Sequence, residues 1–443
     1  MSAGGLAWLS VFPLLALAGA PLLLHPACAG IPRLARTVLS GAAGAALVSV
    51  TMTAFALLGI PWSLSAVLAA SIALGFGMRG ALRTEKAEPS ASPEVPPSSL
   101  PALLAAVAVA AAFLATLAGS ASSPDLLFFW GAKAQRFALA RTVDAAYLGD
   151  PSLAYMHAYY PPLVANLYAL ASIAAGRMSW TAATFLFPLL LAALAAALPG
   201  LLRAGAPERR TSAAAAASAL AIAAIAVIGM EADVGGNGEM PLLLFETAGI
   251  ALLLSPLSAG SAGQLLAGWM LSGAVTAKVE GLPFALAAIA VFLWIRRVRI
   301  RIGPALLRLG LPAAASLLLW FAFGARTHLF RGYSGEGALL APHPEHFGAA
   351  VRAIGAALAS TAYSLPYLIP LVCLLAASRS LERGAAIPLA AAAALSAFLL
   401  FTYLDRPGDP SQWIAWSAPR VFSPLPVLFA LAATATREDP LGR

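Results

Sequence analysis

The chain has 443 residues, of which 60% are hydrophobic and only 10% charged, with a mean hydropathy of +0.85. So apolar a chain cannot solvate itself as a set of water-exposed domains, and its solvent must be lipid. Its net charge of +8 would suit nucleic acid if it were gathered on one domain. The Arg residues are instead scattered in short loops between apolar runs, which excludes that partner and makes them topology signals.

A membrane span needs about 20 mostly apolar residues. Ala and Leu dominate the apolar runs and strand-like alternation is absent, so the expectation is all-α: a polytopic transmembrane helical bundle. The first three spans fall near 6–24, 37–59 and 62–78, an N-terminal module of residues 1–78. No Lys or Arg precedes Leu6, whereas Arg33 and Arg36 follow the first run. That charge order predicts a retained helix with its N-terminus outside, not a cleaved leader. Residues 79–100, with Glu88-Pro89-Ser90 and Pro96-Pro97-Ser98-Ser99, read as a disordered cytoplasmic linker. The core, 101–443, continues with spans near 101–118, 180–201, 211–229, 240–256, 264–279, 282–295, 304–323, 361–377, 385–403 and 420–434, about thirteen in all.

One further apolar stretch, Pro161 to Gly176, decides the topology. If it does not cross, the Arg groups at 33–36, 203–210, 296–308 and 379–383 all lie on the cytoplasmic side, as the positive-inside rule requires. If it crosses, every later group flips outward. The non-crossing arrangement makes 119–179 a long external segment with its own helices, and it places most of the acids outside. Cys28 and Cys373 stand far apart in apolar surroundings and encode neither a disulfide framework nor a zinc site.

Five features could carry chemistry. Asp125 follows Pro124 directly after the fourth span, at the membrane surface. On a continuing helix it shares a face with Phe129, Lys133 and Arg136, while the competing reading is a helix cap beside an interfacial belt containing Trp130. Glu231, Asp233 and Glu239 crowd a loop with Gly235-Gly236-Asn237-Gly238, suited to a divalent cation or to a solvated turn. Lys278 and Glu280 stand between two apolar helices, where ionisable groups are functional by default unless they form a self-neutralising pair. Glu246, inside an apolar run, is a similar anomaly for which a hydrogen-bonded core carboxylate is the alternative. Tyr155, His157, Tyr159 and Tyr160 precede Pro161-Pro162 as an aromatic cluster that belongs either to the interface or to a sugar. The histidines of the 324–350 loop show no metal-ligand spacing.

The order of these features resembles the polyprenyl-phosphate-sugar-dependent glycosyltransferases of the GT-C fold, the bacterial relatives of protein O-mannosyltransferases and aminoarabinose transferases. The likeness rests on Asp125 in the first large external loop and on Tyr160-Pro161-Pro162-Leu163. It rests equally on Glu231/Asp233 ahead of Met240-Pro241-Leu242, on Lys278-Val279-Glu280-Gly281, and on Arg420 opening the last helix. Pro124-Asp125-Leu126 lacks the Asp-Glu pair of the O-mannosyltransferases, and three extra spans precede the core. The resemblance implies an inverting transfer with Asp125 as base and Lys278, Arg420 and Lys133 on the donor phosphate. It also implies Glu231, Asp233 and Glu280 as supporting carboxylates, and Trp130, His157, Tyr159 and Tyr160 against the substrate. A divalent cation of the Mg or Mn kind, with Asp125 and Asp233 as its ligands, is an open part of that expectation. The partners would be a polyprenyl-phosphate-linked sugar, membrane lipids and a glycan, lipid or protein acceptor, at a bacterial inner (plasma) membrane with the site facing the periplasm or exterior. The alternative reading is a multi-span transporter or flippase, against which stand the absence of a duplicated half and the outside position of the acids.

Overall fold

The computed structural model describes residues 2–82, 99–119, 123–203, 211–329, 343–378, 381–405 and 408–435; most of the expected linker at 79–100 lies outside these. Among the described residues the chain is helical without a β-strand. In order, the helices are α1 (Ala3–Leu9), α2 (Val11–Leu23), α3 (Arg33–Leu58), α4 (Leu64–Ala81), α5 (Ser99–Ala118), α6 (Gly131–Ala140), α7 (Ala145–Leu148), α8 (Leu163–Ala175), α9 (Trp180–Arg203) and α10 (Thr211–Glu231). They continue with α11 (Glu239–Leu254), α12 (Ser261–Ala277), α13 (Gly281–Arg296), α14 (Ile302–Arg326), α15 (Phe347–Leu358), α16 (Ser364–Ala377), α17 (Ala386–Leu404), α18 (Ser411–Val421) and α19 (Pro424–Thr434).

Every expected span has a helix, yet among the described residues seven helices are long and apolar enough to cross a bilayer by themselves, or eight if α18 and α19, bent by 44° at their junction, are one broken span. For two of the helices that fall short the reason is physical. Helices α11 and α12, of 16 and 17 residues, are buried almost throughout, so protein rather than lipid surrounds them and they can stop short of the hydrocarbon thickness. Helix α8, in the 161–176 stretch that is not counted as a span, has 13 residues, about 20 Å at 1.5 Å per residue, against a hydrocarbon core of about 30 Å. The outer helices show the opposite pattern. On α5, Leu103, Leu114 and Leu117 are all more than half exposed, which is favourable only if lipid covers them.

Small residues bring the helices into backbone contact, as expected where packing and not hydrophobicity drives association. A Cβ on Gly19 of α2 would lie 1.9 Å from the Ser40 carbonyl oxygen, and one on Gly44 of α3 would lie 1.8 Å from that of Leu15. Ser40 Oγ donates to the Ala16 carbonyl at 2.6 Å across the same seam. The N-terminal helices are tied to the rest by polar contacts inside the bundle: Trp8 Nε1 donates to Ser172 Oγ at 3.0 Å, and Asn166 Nδ2 to Ser49 Oγ at 3.3 Å.

Candidate functional site

The site forms where four chain segments end at one end of the bundle. After α5, Pro124 and Asp125 start a helix whose first turn, Leu126–Trp130, is π-helical before it passes into α6. The wider turn, with its i→i+5 bonding, corrects the expected common face. Phe129 and Lys133 stay together, with the ammonium 3.7 Å from the ring centroid, but Arg136 swings away and pairs with Asp144 at 2.9 Å.

The loop between α10 and α11 approaches this turn through its backbone. Asp233 and Gly236 adopt positive φ of 47° and 78°, the left-handed region that Asp visits more readily than most residues and Gly without cost. Ser123 Oγ and Asn237 Oδ1 are 2.5 Å apart, and the Tyr168 hydroxyl on α8 donates to the Gly236 carbonyl at 3.2 Å. A side chain at Gly238 would meet the Trp130 ring at 2.9 Å and the Lys278 chain at 3.1 Å. Only a glycine lets the loop lie so close, and its next residue, Glu239, is thereby delivered into the bundle.

Glu239 is the centre of the site. Its Oε1 lies 3.3 Å from Lys278 Nζ and 3.3 Å from the Arg420 guanidinium. Lys278 also pairs with Glu280 at 3.0 Å, and Arg420 pairs with Asp125. The result is a chain of alternating charge, Asp125–Arg420–Glu239–Lys278–Glu280, that runs inward from the surface. Asp125 keeps 28% of its side chain exposed, against 4% for Glu239 and 8% for both Lys278 and Glu280. Local structure explains the placement: Lys278 caps α12 in an extended conformation and Glu280 stands at the start of α13, so the helix break turns both side chains to the same partners. Glu239, as the first residue of α11, is favoured by the positive end of the helix dipole.

Several polar atoms here are buried and without a hydrogen-bond partner among the described residues: Glu239 Oε2, Glu280 Oε2, Arg420 Nε and both carboxylate oxygens of Glu246. Buried polar groups are satisfied in most proteins, so this concentration is what a site made for a further polar ligand displays. It also removes the hydrogen-bonded core reading of Glu246 among the described residues.

The other expected residues fall into place unequally. Trp130, His157, Tyr159 and Tyr160 form one aromatic wall with Phe129, with ring centroids 4.5–6.0 Å apart along it. Lys133 is enclosed by that wall and donates to the His157 carbonyl at 3.3 Å; burial pushes its ammonium well below the usual lysine range. It therefore braces the aromatic wall and does not open toward a phosphate. Asp233 is exposed beside the chain; partial desolvation there raises its carboxyl pKa, Arg420 opposes that shift and Asp125 adds to it. Glu231, at the exposed end of α10, does not join the chain of charges. Arg420 lies in the last turn of α18, and the last helix begins at Pro424, not at Arg420. Beside the site a cavity of ≈ 710 Å³ opens between α15 and α18, lined by Arg352, Ala356, Tyr363, Asp409 and Ala415 and ending on Pro419, the neighbour of Arg420.

The sequence grouped Glu239 with Glu231 and Asp233 as acids suited to a divalent cation, and missed it as the shared partner of Lys278 and Arg420. The available signal was its position: an acid between a glycine run and a fully apolar helix. No family model, curated protein or solved structure matches this chain.

Proposed function

We propose that the chain is an inverting glycosyltransferase of GT-C type that moves a sugar from a polyprenyl-phosphate donor to an envelope glycan, lipid or protein acceptor. The observation that carries this reading is the chain of charges itself, in which a partly exposed carboxylate is held beside Arg420 and joined through the buried Glu239 to a second cation, Lys278. Asp125 has one oxygen on Arg420, and the other has no hydrogen-bond partner among the described residues. That free oxygen accepts the proton of an acceptor hydroxyl as the hydroxyl oxygen attacks the anomeric carbon. The bond from that carbon to the phosphate oxygen breaks, its electron pair leaves with the polyprenyl phosphate, and Arg420 and Lys278 stabilise the departing charge.

Among the described residues Asp125, Glu239 and Glu280 pair with Lys278 and Arg420 alone, so this chain of charges carries one carboxylate in excess before any phosphate arrives. Further positive charge is needed. The hard oxygens of Asp125 and Asp233 suit a Mg or Mn ion, which would supply that charge and relieve the repulsion between the two acids. The aromatic wall of Trp130, His157, Tyr159 and Tyr160 supplies a flat apolar surface for the sugar. The thirteen-span arrangement in a bacterial plasma membrane, with this end of the bundle outside, completes the reading, because a lipid donor's phosphate then reaches the site while its tail stays in the bilayer.

Purified protein in proteoliposomes should transfer radiolabelled sugar from polyprenyl-phosphate donors to extracted envelope acceptors. Movement of labelled substrate across the bilayer without a new glycosidic bond would establish the rival reading, a transporter. Glu246 is the specific observation on that side, since an unpartnered carboxylate deep in the bundle is also a feature of translocation paths.

Sidedness has its own test. In a background lacking Cys28 and Cys373, the single variants Ser152→Cys and Glu231→Cys, both at exposed positions, should react with an impermeant thiol reagent applied to sealed cells. Val298→Cys, at a position 88% exposed between α13 and α14, should stay protected until the membrane is opened. Reaction of Val298→Cys in sealed cells with protection of Glu231→Cys would put the site on the cytoplasmic face.

A further inference from the structure

We propose that His343, Glu345 and His346 form a binding site for a divalent transition-metal ion of the zinc class, on the turn that leads into α15. The proposal is independent of sugar transfer. It also corrects the sequence reading, in which these histidines lacked ligand spacing. The pattern His343-Pro344-Glu345-His346 folds as a 3₁₀ turn, Pro344–His346, directly before α15. With three residues per turn, positions i and i+3 stand one above the other, so a spacing that is uninformative in an extended loop brings both imidazoles to one side.

One ligand atom from each of the three residues lies within 4.8 Å of the others. Ligand atoms around a tetrahedral zinc at 2.0–2.1 Å stand about 3.4 Å apart, so small side-chain rotations close the set. His343 Nδ1 is already 2.9 Å from Glu345 Oε1, and the two imidazole centroids are 5.8 Å apart. The turn is anchored, since the His343 backbone N–H donates to the Leu404 carbonyl at the end of α17 at 2.8 Å. The His343 and Glu345 side chains are 35% and 61% exposed, so an ion can reach them from water. Two neutral imidazoles and one carboxylate are a donor set for zinc and its neighbours rather than for Mg, which prefers six oxygens. Three protein ligands leave a fourth position for water or a ligand oxygen. Asp409, which lines the cavity between α15 and α18, is close enough to His346 for their charges to interact, so the ion would stand at the rim of that cavity.

The full chain, purified in detergent and stripped with a chelator, should be titrated with zinc against a chromophoric competitor. One equivalent should bind, and His343→Ala combined with His346→Ala should weaken that equivalent by at least about 100-fold, the upper end of what is lost with a group that only orients a metal ligand. Cobalt in place of zinc should give the intense visible bands of a tetrahedral site, lost in the same double variant. Asp125→Asn with Asp233→Asn should retain the equivalent. Size-exclusion profiles matching the parent protein would show that the variants fold, and Glu345→Gln, which keeps the shape of the turn, gives a second reading of the same loss. The proposal is overturned if the parent binds no zinc at about 100 µM, if the double-histidine variant binds as well as the parent, or if the equivalent disappears with the Asp125/Asp233 variant.

Discussion

Replacing Asp125 by Asn should lower the rate of donor-dependent transfer by about 10²–10⁴-fold, the usual contribution of a positioned general base, while the protein inserts and purifies as before. The reason the fold should tolerate the change is exposure. Asp125 stands at the outer end of the chain of charges with 28% of its side chain open, so water can replace its contact with Arg420, and Arg420 retains Glu239 at 3.3 Å. Donor binding should be less affected than turnover, because the amide removes the base and leaves both cations. The measurement is initial transfer rate against donor concentration in proteoliposomes. Turnover within a factor of two of the parent would remove Asp125 from the reaction.

Glu239→Gln should act in the opposite way, on the protein before the chemistry. This carboxylate is the shared partner of Lys278 and Arg420 at 4% side-chain exposure, and its removal leaves two cations facing each other with Asp125 and Glu280 at the ends. Breaking a buried ion pair by deleting one partner costs about 3–5 kcal/mol, comparable with much of the stability of an ordinary domain. The expected result is a marked fall in yield and in detergent melting temperature, with transfer lost as a consequence. A Glu239→Gln protein that melts with the parent would mean that the Lys278–Glu280 and Arg420–Asp125 pairs hold the site without it. Glu231→Gln is the control: the same chemical change two residues before Asp233, at an exposed position outside the charge chain, should leave both quantities unchanged.

Composition pointed to a helical membrane protein, because a bilayer admits only helices and closed barrels and these runs of Ala and Leu lack the alternation of a barrel strand. Sequence position also singled out most of the residues that the fold brings together, since Asp125, Lys278, Glu280 and Arg420 each interrupt or border an apolar run where an ionisable residue is expensive. Three things were decided only in three dimensions. Which helices face lipid and which are enclosed depends on packing, so the lengths of α11 and α12 do not follow the bilayer rule. Lys133 turns from the expected donor phosphate to the Phe129 ring and the His157 carbonyl, a contact across distant segments that no residue spacing reports. Glu239 becomes the centre, and the 343–346 turn becomes a set of converging ligands, because pairing of charges and donors across distant segments is a property of where helices end. The sequence orders those ends along the chain, and only packing brings them together.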